Sequence, residues 1–122
     1  TLLFGAVRHG NRDLVETLVA RGANVNSRGQ DGSTPLMVAA RFARGDLARL
    51  LLDRGAAPNA TTDDGHTALM TAATRGDRPM VELLLAHGAK RELSDAYHQT
   101  ALSCALAEGH SDIATLLQRD SH

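Results

Sequence analysis

Tryptophan is absent from this 122-residue sequence, and the aromatic side chains come down to Phe4, Phe42 and Tyr97. No apolar run is long enough to span a bilayer, and no signal-peptide pattern is present. Cysteine occurs once, as Cys104. A single thiol cannot close an internal disulfide or build a zinc site from cysteine pairs, which fits a reducing compartment and points to the cytoplasm. Charge of one sign is also lacking. The 13 lysines and arginines nearly balance 14 aspartates and glutamates, so no bulk field draws the chain to nucleic acid or to a membrane surface.

What the sequence does contain is a beat of 33 residues. Thr34-Pro35-Leu36-Met37-Val38-Ala39-Ala40 is answered by Thr67-Ala68-Leu69-Met70-Thr71-Ala72-Ala73 and Thr100-Ala101-Leu102-Ser103-Cys104-Ala105-Leu106, and is preceded by Thr1-Leu2-Leu3-Phe4-Gly5-Ala6-Val7. Gly22-Ala23, Gly55-Ala56 and Gly88-Ala89 keep the same register. Four copies in one phase predict a repeat protein whose cores form a row, each closed by its neighbours. The single domain spans 1–122, with repeats at approximately 1–33, 34–66, 67–99 and 100–122.

Each copy reads as two short helices and a loop. Thr34 is placed to cap a first helix, with Pro35 where a missing amide costs nothing. Leu36, Ala39 and Ala40 then share one face. The second helices carry Leu47, Leu50 and Leu51, with Leu14, Leu18 and Val19, Met80, Leu83 and Leu84, and Ile113, Leu116 and Leu117 as counterparts. Helices of two or three turns do not hold alone in water, so packing must stabilise them. Gly22, Gly55 and Gly88 fall just past the second helices, where a left-handed residue ends a helix. Turn-forming stretches follow, 24–32 and 58–65, as loops that pair loosely with one another and are not independent strands.

Gly32-Ser33-Thr34-Pro35-Leu36, Leu50-Leu51-Leu52-Asp53-Arg54-Gly55-Ala56, Val81-Glu82-Leu83-Leu84-Leu85-Ala86-His87-Gly88-Ala89 and Gly22-Ala23-Asn24-Val25-Asn26 resemble an ankyrin repeat array, over essentially the whole chain. The resemblance implies an all-α solenoid of stacked helix-turn-helix units, with projecting β-hairpin loops and a concave groove. Several positions depart from that pattern. Phe4, Met37, Met70 and Ser103 replace the usual histidine, so its hydrogen bonds between helix starts are expected to be missing. Ala43 stands where Gly10, Gly76 and Gly109 turn the chain, which predicts a different turn and a longer first helix in the second repeat. His98 replaces the glycine of Gly32 and Gly65, which strains or remodels the last hairpin if the position needs positive φ. Ser121 stands where a helix-ending glycine would fall. The last repeat is acidic, with Arg119 against Glu108, Asp112 and Asp120, and its outer face is partly polar. Leu2, Leu3 and Phe4 make the first end apolar, which suggests either further sequence upstream or end-to-end self-association.

No constellation for catalysis, cofactor or metal emerges. His9, His66, His87, His98, His110 and His122 share no spacing that puts two on one helical face, and turn or surface roles suit them. Asp63-Asp64 with His66 forms an acidic cluster that lacks the oxygens of a calcium loop and reads as a solvated hairpin tip. Cys104 has no base near it in sequence and reads as packing. The glycines follow helices, so none forms a phosphate loop. Asn26 and Asn59 occupy the register at which some eukaryotic members of the family are hydroxylated, but without the acidic neighbour such sites favour.

The resemblance instead implies a partner-binding groove. By register its residues are Gln30, Asp31, Ser33, Arg41 and Phe42, then Asp63, Asp64, His66, Thr74 and Arg75, then Ala96, Tyr97, Gln99, Ala107 and Glu108, with Arg8 and His9 extending the row. Arginine and aromatic side chains are the usual hot spots of interfaces, and burying Phe42 fully is worth roughly 1.5 to 3 kcal/mol. Phe42 either lines the groove or folds under the altered turn at Ala43. The function implied is a non-catalytic protein-interaction module for another protein or peptide, with a structural spacer in a larger protein as the alternative. An enzyme is a remote third reading, and nucleic acid is disfavoured by the mixed charge of the row.

Overall fold

A computed structural model describes residues 2–119. What the sequence suggested for Thr1, Asp120, Ser121 and His122, and for the Arg119 side chain, lies outside that range. Eight helices occur among the described residues, in four pairs: α1 (Leu2–Arg8) with α2 (Arg12–Ala20), α3 (Pro35–Arg41) with α4 (Gly45–Asp53), α5 (Ala68–Arg75) with α6 (Arg78–Ala86), and α7 (Ala101–Ala107) with α8 (Ser111–Arg119). The first helices stack in sequence, α1 on α3, α3 on α5 and α5 on α7, and each packs on the second helix of its own pair.

Local chemistry starts each first helix as the sequence predicts. The hydroxyls of Thr34, Thr67 and Thr100 accept from the amides of Met37, Met70 and Ser103 at 3.4, 3.2 and 3.2 Å. Two residues that replace the family histidine also bond locally. Ser103 Oγ accepts from Thr100 N at 2.8 Å and donates to Thr100 O at 3.0 Å, and Met37 sulfur lies 3.5 Å from Thr34 N.

Small residues let the first helices approach one another, since Ala39, Ala40, Ala72, Ala73 and Ala105 are wholly buried. Around them Leu36, Leu47, Leu51, Leu69, Met80, Leu84 and Ile113 form one continuous core along the stack. In the first repeat Leu18 and Val19 pack against the core as expected and Leu14 does not. Val15 is wholly buried and Leu14 is 37% exposed, because no described repeat lies against that side of α2. The Val15 register, with Ala48, Val81 and Ala114, is buried throughout and was not among the positions picked from the sequence.

The turn at Ala43 corrects the expectation of a longer helix. α3 has 7 residues, as do α1 and α7. Ala43 takes φ +59°, beside +72°, +75° and +75° for Gly10, Gly76 and Gly109. The turn closes by the same bond in each repeat, Arg44 N to Ala39 O at 2.8 Å matching Asn11 N to Ala6 O at 2.9 Å, Asp77 N to Ala72 O at 3.1 Å and His110 N to Ala105 O at 2.9 Å. Packing therefore imposes the left-handed conformation on an alanine, at a cost of about 1–2 kcal/mol.

The three loops between repeats are hairpins in shape without strands, none being present among the described residues. Each closes on two backbone bonds: Gly29 N to Ser33 O, Thr62 N to His66 O and Asp95 N to Gln99 O at 2.8, 2.9 and 3.0 Å, with Gly32 N to Gly29 O, Gly65 N to Thr62 O and His98 N to Asp95 O inside them at 3.1, 2.9 and 3.0 Å. Successive tips are joined by single bonds, Asp63 N to Asp31 O at 3.0 Å and Ala96 N to Asp64 O at 2.7 Å. His98 accepts the glycine's conformation at φ +63°, and the last hairpin keeps its shape, so that substitution strains the turn without remodelling it. Below the tips Asn26 and Asn59 staple each repeat to the next. Asn26 donates to Gly55 O at 3.1 Å and accepts from Ala57 N at 2.7 Å, while Asn59 donates to Gly88 O at 3.0 Å and accepts from Lys90 N at 2.7 Å.

Candidate functional site

A trough runs along the first helices, between their C-terminal ends and the hairpins. Its floor is the register four residues after each threonine: Gly5, Val38, Thr71 and Cys104. Three hollows follow one another along it. The first, about 300 Å³, is lined by Phe4, Gly5, Arg8, Val38, Arg41 and Phe42. The second, about 280 Å³, adds Asp31, Ser33, Met37, Thr62, His66 and Thr71. The third, about 350 Å³, adds Thr74, Arg75, Gln99, Cys104, Ala107 and Glu108. Arg41 borders all three, so they form one continuous surface.

The helical wall is cationic along the first three repeats and ends at Glu108, the residue after α7. Arg8, Arg41 and Arg75 lie in the last turns of α1, α3 and α5, where positive side chains also complement the carbonyl end of the helix. Arg8 and Arg41 carry their guanidinium carbons 5.5 and 5.6 Å from the centre of the Phe42 ring. Phe42 is half-buried and lines the first hollow.

The hairpin wall is polar and internally bonded. Asp31 accepts from Ser33 N at 3.0 Å, and the Ser33 hydroxyl and amide hold its carboxyl below the ordinary range, with Arg41 adding a smaller attraction. His66 does not join Asp63 and Asp64 as one cluster. Its Nδ1 lies 3.7 Å from Oδ2 of Asp95, in the next hairpin. Asp95 is buried and accepts from Tyr97 N and Gln99 N at 2.9 Å each. The Gln99 amide is the main cause of its lowered pKa, with Tyr97 and His66 contributing.

Cys104 is 5% exposed at the end of this floor. Burial pushes its thiol pKa up and Asp95 adds to the rise, against a lowering hydrogen bond with Thr74. A thiol held protonated is a poor nucleophile. Two histidines near turns hold carbonyls: His110 Nε2 lies 3.1 Å from Thr74 O, and His87 Nδ1 lies 3.0 Å from Leu83 O. Among the described residues no group of three His, Cys, Asp or Glu side chains is arranged to hold a metal ion.

Of the residues expected in the groove, Arg8, Asp31, Ser33, Arg41, Phe42, His66, Thr74, Arg75, Gln99, Ala107 and Glu108 line the trough. Gln30, Asp63, Asp64, Ala96 and Tyr97 are exposed residues of the hairpins outside the three hollows, Tyr97 being 70% accessible. His9 faces elsewhere, into a shallow depression with Leu2, Ala6 and Leu14 at the first end of the stack. The floor itself was missed. Val38, Thr71 and Cys104 share a visible register, but in a helix whose other faces are buried nothing in the sequence separates a packing position from one beneath a groove.

Stacked helix pairs with hairpin loops and a lined trough define a repeat solenoid. The model for ankyrin repeats, in three copies, matches residues 1–62 and 43–122, and the chain belongs to the ankyrin-repeat family. It is 50% identical over 38 residues to an ankyrin repeat-containing protein of Schizosaccharomyces pombe, a stretch covering 31% of this chain and 18% of that protein. Ankyrin repeats are in general non-catalytic modules of protein–protein interaction. No helix among the described residues is long and apolar enough to cross a membrane.

Proposed function

We propose that this chain is a non-catalytic module that binds a partner protein or peptide along the trough. The continuity of the trough across all three junctions between repeats carries this reading, together with a lining that changes from repeat to repeat while the core beneath it does not. At the floor register glycine, valine, threonine and cysteine alternate, whereas the register one residue further on is Ala6, Ala39, Ala72 and Ala105. A surface used only for stacking has no reason to vary in this way.

A partner screen followed by Phe42→Ala, Arg75→Ala and Glu108→Ala tests the reading. A partner lost on changing the trough supports it, and partners indifferent to all three changes refute the groove. Charge reversal at Arg41 and Arg75 separates the module from a structural spacer, because a spacer tolerates it and a recognition surface does not. End-to-end self-association is a second proposal, resting on Leu2 at 74% and Leu14 at 37% exposure beside the depression they share. Light scattering that finds a monomer at high concentration would remove it.

A further inference from the structure

The first hollow of the trough differs from the other two because its lining combines cations with apolar surface and includes no carboxylate. Several arginines elsewhere in the stack are engaged: Arg12 with Glu16 and Asp46, Arg28 with Thr61 O, Arg44 with Arg8 O, and Arg78 with Glu82 and Asp112. Among the described residues the guanidinium groups of Arg8 and Arg41 make no hydrogen bond or ion pair, Arg41 feeling Asp31 only as a minor attraction, and both rest near the ring of Phe42. A guanidinium held by an aromatic ring loses little further freedom when it binds an anion, and its N–H groups match a carboxylate in pairs.

The floor beneath these cations is open. A β-carbon added to Gly5 would meet nothing within 4 Å. The same register holds the side chains of Val38, Thr71 and Cys104 in the other repeats, so the absence of one here deepens the hollow between α1 and α3. Phe4 bounds it on the hairpin side, with its ring 3.7 Å from where a side chain on Gly29 would begin.

We propose that this hollow receives an apolar side chain of the partner, seated over Gly5 against Phe4, Val38 and Phe42, with a carboxylate of an adjacent partner residue bound by Arg8 and Arg41. The proposal rests on the trough being the binding surface and names the chemistry of its first contact. A volume of about 300 Å³ suits one large side chain. A lysine brought to the same place would meet two like charges and no acceptor side chain.

Three fluorescein-labelled eight-residue peptides test it by anisotropy, one alternating leucine with glutamate, one leucine with lysine and one serine with glutamate. The leucine–glutamate peptide is expected to bind at least roughly tenfold tighter than either control, the change expected from one charge-assisted contact or one buried side chain. Gly5→Leu, which grows into open space from a helical position, should abolish that preference without lowering the melting temperature. Arg8→Gln with Arg41→Gln should weaken binding by roughly tenfold or more, and Arg49→Gln, outside the trough, should leave it unchanged. Amide NMR shifts locate the complex. Shifts along the trough with equal affinity for the lysine peptide, or with affinity unchanged by Gly5→Leu and the arginine pair, overturn the proposed chemistry and leave the trough reading standing. Shifts confined to α2, α4, α6 and α8 overturn both. No binding of the leucine–glutamate peptide at millimolar concentration overturns the proposal alone.

Discussion

Ala43 and Gly76 occupy the same point of the inter-helix turn, with φ of +59° and +75°, yet exchanging their residue types should move stability in opposite directions. The difference lies in what the following repeat places over them. At Gly76 a β-carbon would stand 2.6 to 2.8 Å from the ring of His110, which bonds Thr74 O. At Gly10 it would meet the guanidinium of Arg44 at 3.0 Å. By register the residue over Ala43 is Asp77, and Asp77 turns to its own helix, accepting from Met80 N at 3.2 Å. The space over Ala43 is therefore free, and the alanine carries only the backbone cost, about 1–2 kcal/mol. Ala43→Gly removes that cost and adds about 0.4–1 kcal/mol of unfolded-state entropy, leaving a net gain of roughly 0.5–1 kcal/mol. Gly76→Ala takes on the same strain less the same unfolded-state entropy and also expels the His110 ring from its hydrogen bond, worth about 0.5–1.5 kcal/mol, for a net loss of roughly 1–2.5 kcal/mol. Urea unfolding followed by circular dichroism reads both, with the denaturant slope checked for constancy because repeat arrays can lose cooperativity. If Ala43→Gly destabilises the protein, or if both variants shift the midpoint in one direction, the account of the turn fails.

Three further outcomes follow from the geometry. Asn59→Ala removes two bonds to the next repeat and should cost roughly 1–3 kcal/mol, while Asn59→Asp keeps the acceptor for Lys90 N and should cost less; equal losses would contradict the staple. Because the folded carboxyl of Asp95 titrates below its ordinary value, its contribution is present above the unfolded pKa and disappears only as pH falls through the lower folded one. The amide shifts of Tyr97 and Gln99 should thus hold steady through the usual carboxylate range and move below it, and a midpoint at or above about 3.9 would refute this. Cys104, with its thiol pushed up by burial, should be alkylated by iodoacetamide more slowly than a free cysteine at neutral pH, and rapid labelling there would show that the floor is open to reagents.

The repeat, the helix pairs and their start signals were legible because the forces that set them are local. A threonine caps the turn that follows it, and a glycine permits a left-handed residue wherever it stands. The same locality explains the misreadings. Alanine at position 43 signalled a changed turn, since its sequence neighbours do not reveal that Asp77 leaves room above it. Leu14 looked like a core residue because periodicity cannot tell a face covered by another repeat from one that is not. His66 seemed to belong with Asp63 and Asp64, its neighbours in the chain, whereas the stacking of hairpins delivers it to Asp95.

Sequence alone determined that there are four units in one register, that each is too short to stand by itself, and which side chains lie near the helix ends and hairpin tips. Tertiary structure decided which of those side chains share a surface. The 33-residue register puts Arg8, Arg41 and Phe42 in one row, but only the spacing of the stacked helices brings both guanidinium groups to the same ring. The open floor at Gly5 likewise exists only once α1 and α3 lie side by side, because a missing side chain becomes a hollow when its neighbours are close enough to have walls.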